Sequence, residues 1–288
     1  MSLFLPIDIT ASKNIHYFNL GILCGVKFQK TIWDFYKKHK RNLYWRKKVT
    51  PYYVFVSEIM LQQTQVARVE KKFPEFIKEF PDFKSLAQAP AKNVLAAWQG
   101  MGYNRRGLYL KKAAEIIIEK YKGIVPKDPK LVDELPGVGN ATACSIVVFA
   151  YNTPHVFIET NIRRVFIHFF FSDKKNIDDK DIMLIIEKTL DTKTPREWYY
   201  ALMDYGSHLP TIIKNPNRRS KYYKKQAPFK GSDREIRGAI IKSILKNPLT
   251  ILQLEQATGF EERRLQYNLL KLKKEGFVME KKRKYVIK

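Results

Sequence analysis

Up to about residue 210 the apolar residues recur at helical spacing and almost nowhere alternate in the period of two that a half-buried strand needs. The spacing predicts helices over 28–40, 51–68, 69–80, 83–87, 91–98, 106–121, 128–134, 140–151, 161–170, 178–190 and 194–208. Phe80-Pro81, Ala89-Pro90, Gly100-Met101-Gly102 and the run from Gly123 to Pro126 punctuate them. Connections this short join helices to helices, so the first two thirds of the chain are expected to be all-α.

The pattern changes beyond that point. Residues 215–231 read as a basic linker. Ser232 is placed to cap a helix over 233–246, with Glu235 completing a capping box. Thr250 caps a second helix over 251–257, and a third follows over 261–274. Two short strands, 277–280 and 285–287, flank Lys281-Lys282-Arg283-Lys284. Three helices and a basic hairpin predict a small winged-helix-like α+β domain, in which the third helix normally enters a major groove. The expected division is an N-terminal extension (1–27), a helical core (28–214), the linker (215–231) and the winged domain (232–288). Within the core, a six-helix part spans about 55–150, and a second helical part joins 28–50 to 151–210.

Charge narrows the class of partner. The 288 residues hold 53 Lys and Arg against 28 Asp and Glu, a net charge of +25. Residues 216–288 alone carry 20 basic and 7 acidic side chains, about half of the excess in a quarter of the chain. A globular chain this basic is expected to meet a polyanion. With 16 Tyr and 18 Phe it is not a disordered basic tail. Cys24 and Cys144 each sit in an apolar run and read as buried free thiols. The start shows no secretory signal and Ser145–Tyr151 is too short to span a bilayer. A cytoplasmic protein, not bound to membrane, is expected.

Three stretches carry chemistry. In Ser57-Glu58-Ile59-Met60-Leu61-Gln62-Gln63-Thr64-Gln65, one carboxyl stands on a helix among Val54, Val56, Ile59, Met60 and Leu61. Partial desolvation would raise its pKa and keep it able to donate a proton. The amides that follow can read base edges or phosphates. In Leu135-Pro136-Gly137-Val138-Gly139 two glycines permit a tight turn close to a ligand. The helix beginning near Asn140 and Thr142 would offer free N–H groups to a phosphate. An ordinary helix–helix turn is the other reading. In Ile158-Glu159-Thr160-Asn161-Ile162-Arg163-Arg164-Val165, Thr160 is expected to be the N-cap. The helix dipole would then hold Glu159 ionised. A neutral acid and an ionised one form the pair needed to expel a leaving group from a sugar. Plain capping is the alternative for Glu159.

SEIMLQQTQ, GMGYNRRGLYL (100–110), ELPGVGNATA (134–143) and IETNIRRV (158–165) together strongly resemble the helix-hairpin-helix (HhH-GPD) DNA glycosylase superfamily, and its MutY-type adenine glycosylases most of all. The resemblance covers about residues 28–210. It implies an all-α fold of two helical subdomains with a cleft between them. It also implies that Glu58 is the general acid for adenine departure, and that Leu61, Gln62 and Gln63 wedge into the duplex. Tyr103 would intercalate beside the mismatch. Leu135, Gly137, Val138 and Gly139, with Asn140 and Thr142, would hold a backbone phosphate, with Na+ or K+ on the hairpin carbonyls. Trp45 and Asn161 are expected in the base pocket, with core packing the other reading of Trp45.

Three departures from the family pattern stand out. Glu159 replaces the usual aspartate that supports the oxocarbenium ion. The four-cysteine iron–sulfur loop is missing, so no cofactor is expected and Arg218 and Arg219 would take over phosphate contact by charge. The winged domain stands where MutY proteins read 8-oxoguanine. Ala141 occupies the position of the catalytic lysine in lyase relatives, so no Schiff base or strand cleavage is expected. The expected function is a monomeric, monofunctional glycosylase acting on double-stranded DNA with a mispaired or damaged base, adenine being the base expected to be excised. A thymine or uracil mismatch glycosylase and a catalytically silent winged-helix DNA-binding protein are the alternatives.

Overall fold

A computed structural model describes the backbone of residues 16–172 and 174–288 and the side chains from residue 25 onward. The helical expectation holds, but the first helix starts earlier than its apolar spacing suggests. Helix α1 runs His16–His39, so part of the expected extension is helical. The side chain of Cys24 and all of residues 1–15 lie outside the described residues. The chain divides into two compact units, each built from segments distant in sequence.

The first unit comprises 1–47, 127–129 and 140–225. It contains α1, a short helix α2 (Tyr44–Lys47), α9 (Asn140–Tyr151), α10 (Thr160–Phe170), α11 (Asp179–Thr189) and α12 (Pro195–Ile212). Its core is aromatic. Phe28 meets Phe166, Phe170 and Trp198 edge-on, with ring centroids 5.3, 5.0 and 5.8 Å away. Helices α10 and α12 approach so closely that a Cβ at Gly206 would stand 2.3 Å from the Asn161 carbonyl oxygen. Only glycine fits this crossing.

Residues 215–221 depart from the linker expectation. Pro216–Arg219 form a 3-10 turn, and Ile177 pairs with Ser220 in a parallel bridge. Asn217 is buried and donates from its amide to the Thr160 carbonyl at 2.9 Å. This stretch therefore closes onto α10 and belongs to the first unit.

The second unit comprises 48–126, 130–139 and 226–288. Thr50 caps α3 (Pro51–Leu61), accepting the Tyr53 N–H, and Pro51 occupies the first turn where its missing N–H costs nothing. Helices α4 (Val66–Glu79), α5 (Phe83–Gln88), α6 (Ala91–Ala97) and α7 (Arg105–Tyr121) follow, with α8 (Pro129–Asp133) at the edge of the unit. The last third then adds α13 (Asp233–Lys246), α14 (Ile251–Thr258) and α15 (Glu262–Lys274). Strand β1 (Val278–Lys281) pairs antiparallel with β2 (Lys284–Ile287). Lys282 and Arg283, at φ 50° and 62°, form the tight turn between them.

These last elements share a core with the earlier helices. Ile236, Ile240, Ile244, Leu265, Leu269 and Phe277 cluster with Leu95 of α6, and Leu108 of α7 packs against the group. Glu275 joins the two parts by charge. It accepts from Arg105 at 2.6 Å and from Arg237 at 3.0 and 2.5 Å. Burial would raise its pKa, but the bonds from Arg237 and Arg105 outweigh that and hold it below the ordinary glutamate value.

Candidate active site

The C-terminal end of α3 is held by a residue that the sequence did not single out. Arg106, at the start of α7, is buried and sends its guanidinium across to the turn after Glu58. Nη1 donates to the carbonyls of Ile59, Met60 and Gln62, the first two at 2.9 Å. Nη2 donates to Thr64 Oγ1 at 2.9 Å and to the carbonyls of Met101 and Gly102 at 3.1 and 3.2 Å. One planar cation thus satisfies the last carbonyls of α3 and the loop before α7. Burial lowers its pKa to about 10, still far enough above neutrality for it to stay charged.

Around this knot stand several of the expected site residues. Glu58 is half-buried between Ser57 and Ile59, which are fully buried. Leu61 and Gln62 are half-buried and Gln63 is exposed. Gln63 and Tyr103 both take left-handed backbone, at φ 52° and 45°. Non-glycine residues seldom adopt it, and such positions concentrate at functional turns. Tyr103 keeps 39% of its surface exposed.

The hairpin is tied to the same turn. Gln62 donates through its side-chain amide to the Gly137 carbonyl at 3.1 Å. Gly137 has φ 79°, and a Cβ there would fall 2.8 Å from Cβ of Tyr109, so both the turn and its neighbour demand glycine. Val138 N–H closes the turn on the Leu135 carbonyl at 3.1 Å. Leu135 and Val138 are buried, whereas Gly139 and Asn140 are exposed. Helix α9 begins at Asn140, directly after the second glycine, and the Thr142 carbonyl accepts from Ser145 within it. Cys144 on α9 is buried and forms no disulfide, as its apolar run suggested. Among the described residues no cluster of His, Cys, Asp or Glu is arranged to hold a metal ion.

Glu159 lies in the first unit and differs from expectation in two respects. It is itself the N-cap of α10, which makes Thr160 the first helical residue. Oε1 accepts the N–H groups of Asn161 and Ile162 at 2.8 and 2.9 Å, and Oε2 accepts the Asn161 amide at 3.3 Å. The carboxyl pKa nevertheless lies above the ordinary value, where the dipole argument placed it below. The residue is half-buried, and desolvation of its carboxyl outweighs the two backbone donors and the charges of Arg164 and Arg163. Asn161, expected in a base pocket, is engaged in orienting Glu159. Its Oδ1 accepts from Arg164 Nη1 at 2.9 Å while its amide faces the carboxyl.

Two other expectations change. Trp45 is 3% exposed and belongs to the core. Its neighbour Arg46 donates to both oxygens of Asp204 at 3.0 Å, and Arg41 donates to the same buried carboxylate from its backbone and from Nε. The Tyr44-Trp45-Arg46 stretch thus anchors α2 to α12. Arg219 spends its guanidinium on the carbonyls of Ile167, Phe171 and Ser172, which caps α10. Arg218 beside it is exposed.

Residues 56–191 match the superfamily of HhH-GPD base excision DNA repair proteins. The adenine DNA glycosylase of Buchnera aphidicola subsp. Baizongia pistaciae is 36% identical over 194 residues, covering 66% of this chain and 54% of the relative, so this chain spans about half that protein's length. The adenine DNA glycosylase of Mycolicibacterium smegmatis is 30% identical over 243 residues, covering 77% of this chain and 82% of the relative. In fold the chain is similar to a thermostable thymine-DNA glycosylase, with a TM-score of 0.60 at 23% identity, over 68% of this chain and 91% of that one. The chain belongs to the HhH-GPD superfamily, within its MutY-type adenine DNA glycosylase family. No helix among the described residues is long and apolar enough to cross a membrane.

Proposed function

We propose that the protein is a monofunctional DNA glycosylase that removes adenine mispaired in duplex DNA and leaves an abasic site. The observation that carries this reading is the Arg106 knot. It fixes the end of the Glu58 helix, the Leu61–Gln63 turn and the Tyr103 loop to one another, and Gln62 ties in the hairpin. In this reading basic surfaces hold the phosphates. The hairpin, Asn140 and Thr142 set the register on one of them. The hairpin carbonyls are the place for Na+ or K+, although those of Leu135 and Gly137 already accept one hydrogen bond each. Leu61, Gln62, Gln63 and Tyr103 enter the stack and help extrude the target nucleotide, which costs least at a mismatch.

Glu58 then donates a proton to a ring nitrogen of the adenine. The bond from the sugar to the base breaks with its electron pair leaving on the base, and water adds to the sugar carbon and releases a proton. Glu159 faces the positive sugar as a carboxylate held in a desolvated site. An anion so poorly compensated gains more from a developing cation than a solvated one would. Ala141 supplies no amine, so the strand is not cut. Two cysteines cannot ligate a four-thiolate cluster, and we infer that the enzyme works without one. It acts as a monomer, in the cytoplasm with its DNA.

The test is single-turnover incubation with duplexes carrying A, T or U opposite G, 8-oxoguanine or C, with and without alkali. Adenine duplexes should yield alkali-labile sites and no cleavage without alkali. Glu58→Gln should lower base release by about 10²–10⁴-fold with duplex affinity nearly unchanged. Full turnover in that variant would refute the assigned acid.

A further inference from the structure

Tyr103 is gripped from the far end of its unit. Its phenol oxygen accepts from Arg234 Nη1 at 3.1 Å and from the side-chain amide of Gln226. The Arg234 guanidinium lies 6.0 Å from the Tyr103 ring centroid, and Arg106 lies 5.6 Å from it. Arg234 stands in the first turn of α13 and is itself tied down, donating to the Ala227 carbonyl at 2.7 Å. Helix α13 is then held to the start of α7 through Arg237, Glu275 and Arg105, two residues after Tyr103. So an exposed ring on a left-handed turn is oriented by two side chains more than 120 residues downstream. Tyr103 stays partly exposed and Arg234 is half-buried, so these bonds add little to the apolar core. Their effect is to restrict the angle of the ring.

We propose that Arg234 and Gln226 are positioning residues for Tyr103, so that the winged domain and the segment leading into it set the geometry of the residue that enters the duplex. This rests on the reading of Tyr103 as the intercalating side chain. An aromatic ring that must slide between base pairs gains from being presented at a fixed angle, since ordering it beforehand removes that cost from the binding step.

The experiment uses the full chain with 3-fluorotyrosine incorporated, the Tyr103 fluorine resonance being assigned by its loss in Tyr103→Phe. Arg234→Ala should shift or broaden that resonance without DNA. It should also slow single-turnover adenine release from a duplex pairing adenine with 8-oxoguanine by about tenfold, with affinity for fully matched duplex held within about twofold. Tyr103→Phe removes the accepting oxygen, so the double variant should be no slower than the slower single one. An unshifted resonance, losses that multiply in the double variant, or faster release in Arg234→Ala would each overturn the proposal. If the wild type releases no adenine, the glycosylase reading fails, and the fluorine resonance still decides whether Arg234 positions Tyr103.

Discussion

Glu159 combines two opposed influences on one carboxylate. Backbone N–H groups at the helix start favour its charge, and desolvation disfavours it more strongly, so the folded pKa lies above the ordinary value near 4.5. The folded state therefore holds this proton more tightly than the unfolded chain does. The resulting stability is complete below the unfolded pKa and is lost as pH rises through the folded one. Glu159→Gln should flatten that decline, visible as a shallower fall of the urea midpoint above pH 4.5. The proposed role of Glu159 as the anion beside the sugar needs the opposite charge state. Base release should begin to fail on acidification at a pH above the usual carboxylate range, and a single-turnover pH profile would show it. A limb at or below pH 4.5 would contradict the assigned anion. The place of Glu159 at a helix start was legible in the sequence. Its ionisation was not, because desolvation depends on which distant segments approach the carboxyl.

Among the elements, α3 and α7 depend on each other through Arg106. Five carbonyls and a hydroxyl converge on one guanidinium, and the three donors of a lysine ammonium cannot replace that fork. With buried carbonyls left unpaired at about 1–3 kcal/mol each, Arg106→Lys should destabilise the fold by about 3 kcal/mol. In a chain of this size that corresponds to a melting temperature lower by roughly 6–12 °C in a thermal scan. Arg106 lay within a motif already in view, yet four of its six acceptors are over 40 residues upstream, a distance at which local spacing carries no signal. Where the signal is local the elements were readable. The Gly-Val-Gly turn announces the start of α9, and Thr250 announces α14 as its N-cap. Residues 215–221 were misread for the same reason as Arg106. Their Pro, Asn and Arg composition suggests a free linker, whereas carbonyls in and just after α10 give Asn217 and Arg219 their partners.

For the whole molecule, charge and connectivity matter most. The turn Lys281-Lys282-Arg283-Lys284 joins two strands whose pairing holds it in place. If DNA runs along the winged domain, replacing these four by serine should weaken duplex binding. It should also reduce the slope of log affinity against log salt by about 0.9 for each phosphate no longer neutralised, measured by fluorescence anisotropy between roughly 50 and 200 mM salt. An unchanged slope would move the DNA elsewhere. The C-terminal helices and the basic hairpin were legible, because their caps and strand signals are local. Their attachment was not, since Leu95 reads as an ordinary core leucine of α6. That shared core bears on how the protein is made. A ribosome completes α6 and α7 well before it reaches Ile236, and the wait is on the order of ten seconds at ordinary elongation rates. Throughout it, Leu95 and Leu108 lack the partners that will cover them. The nascent chain must carry this patch past the whole of α9 to α12, so chaperone binding or premature association is most to be expected during that interval.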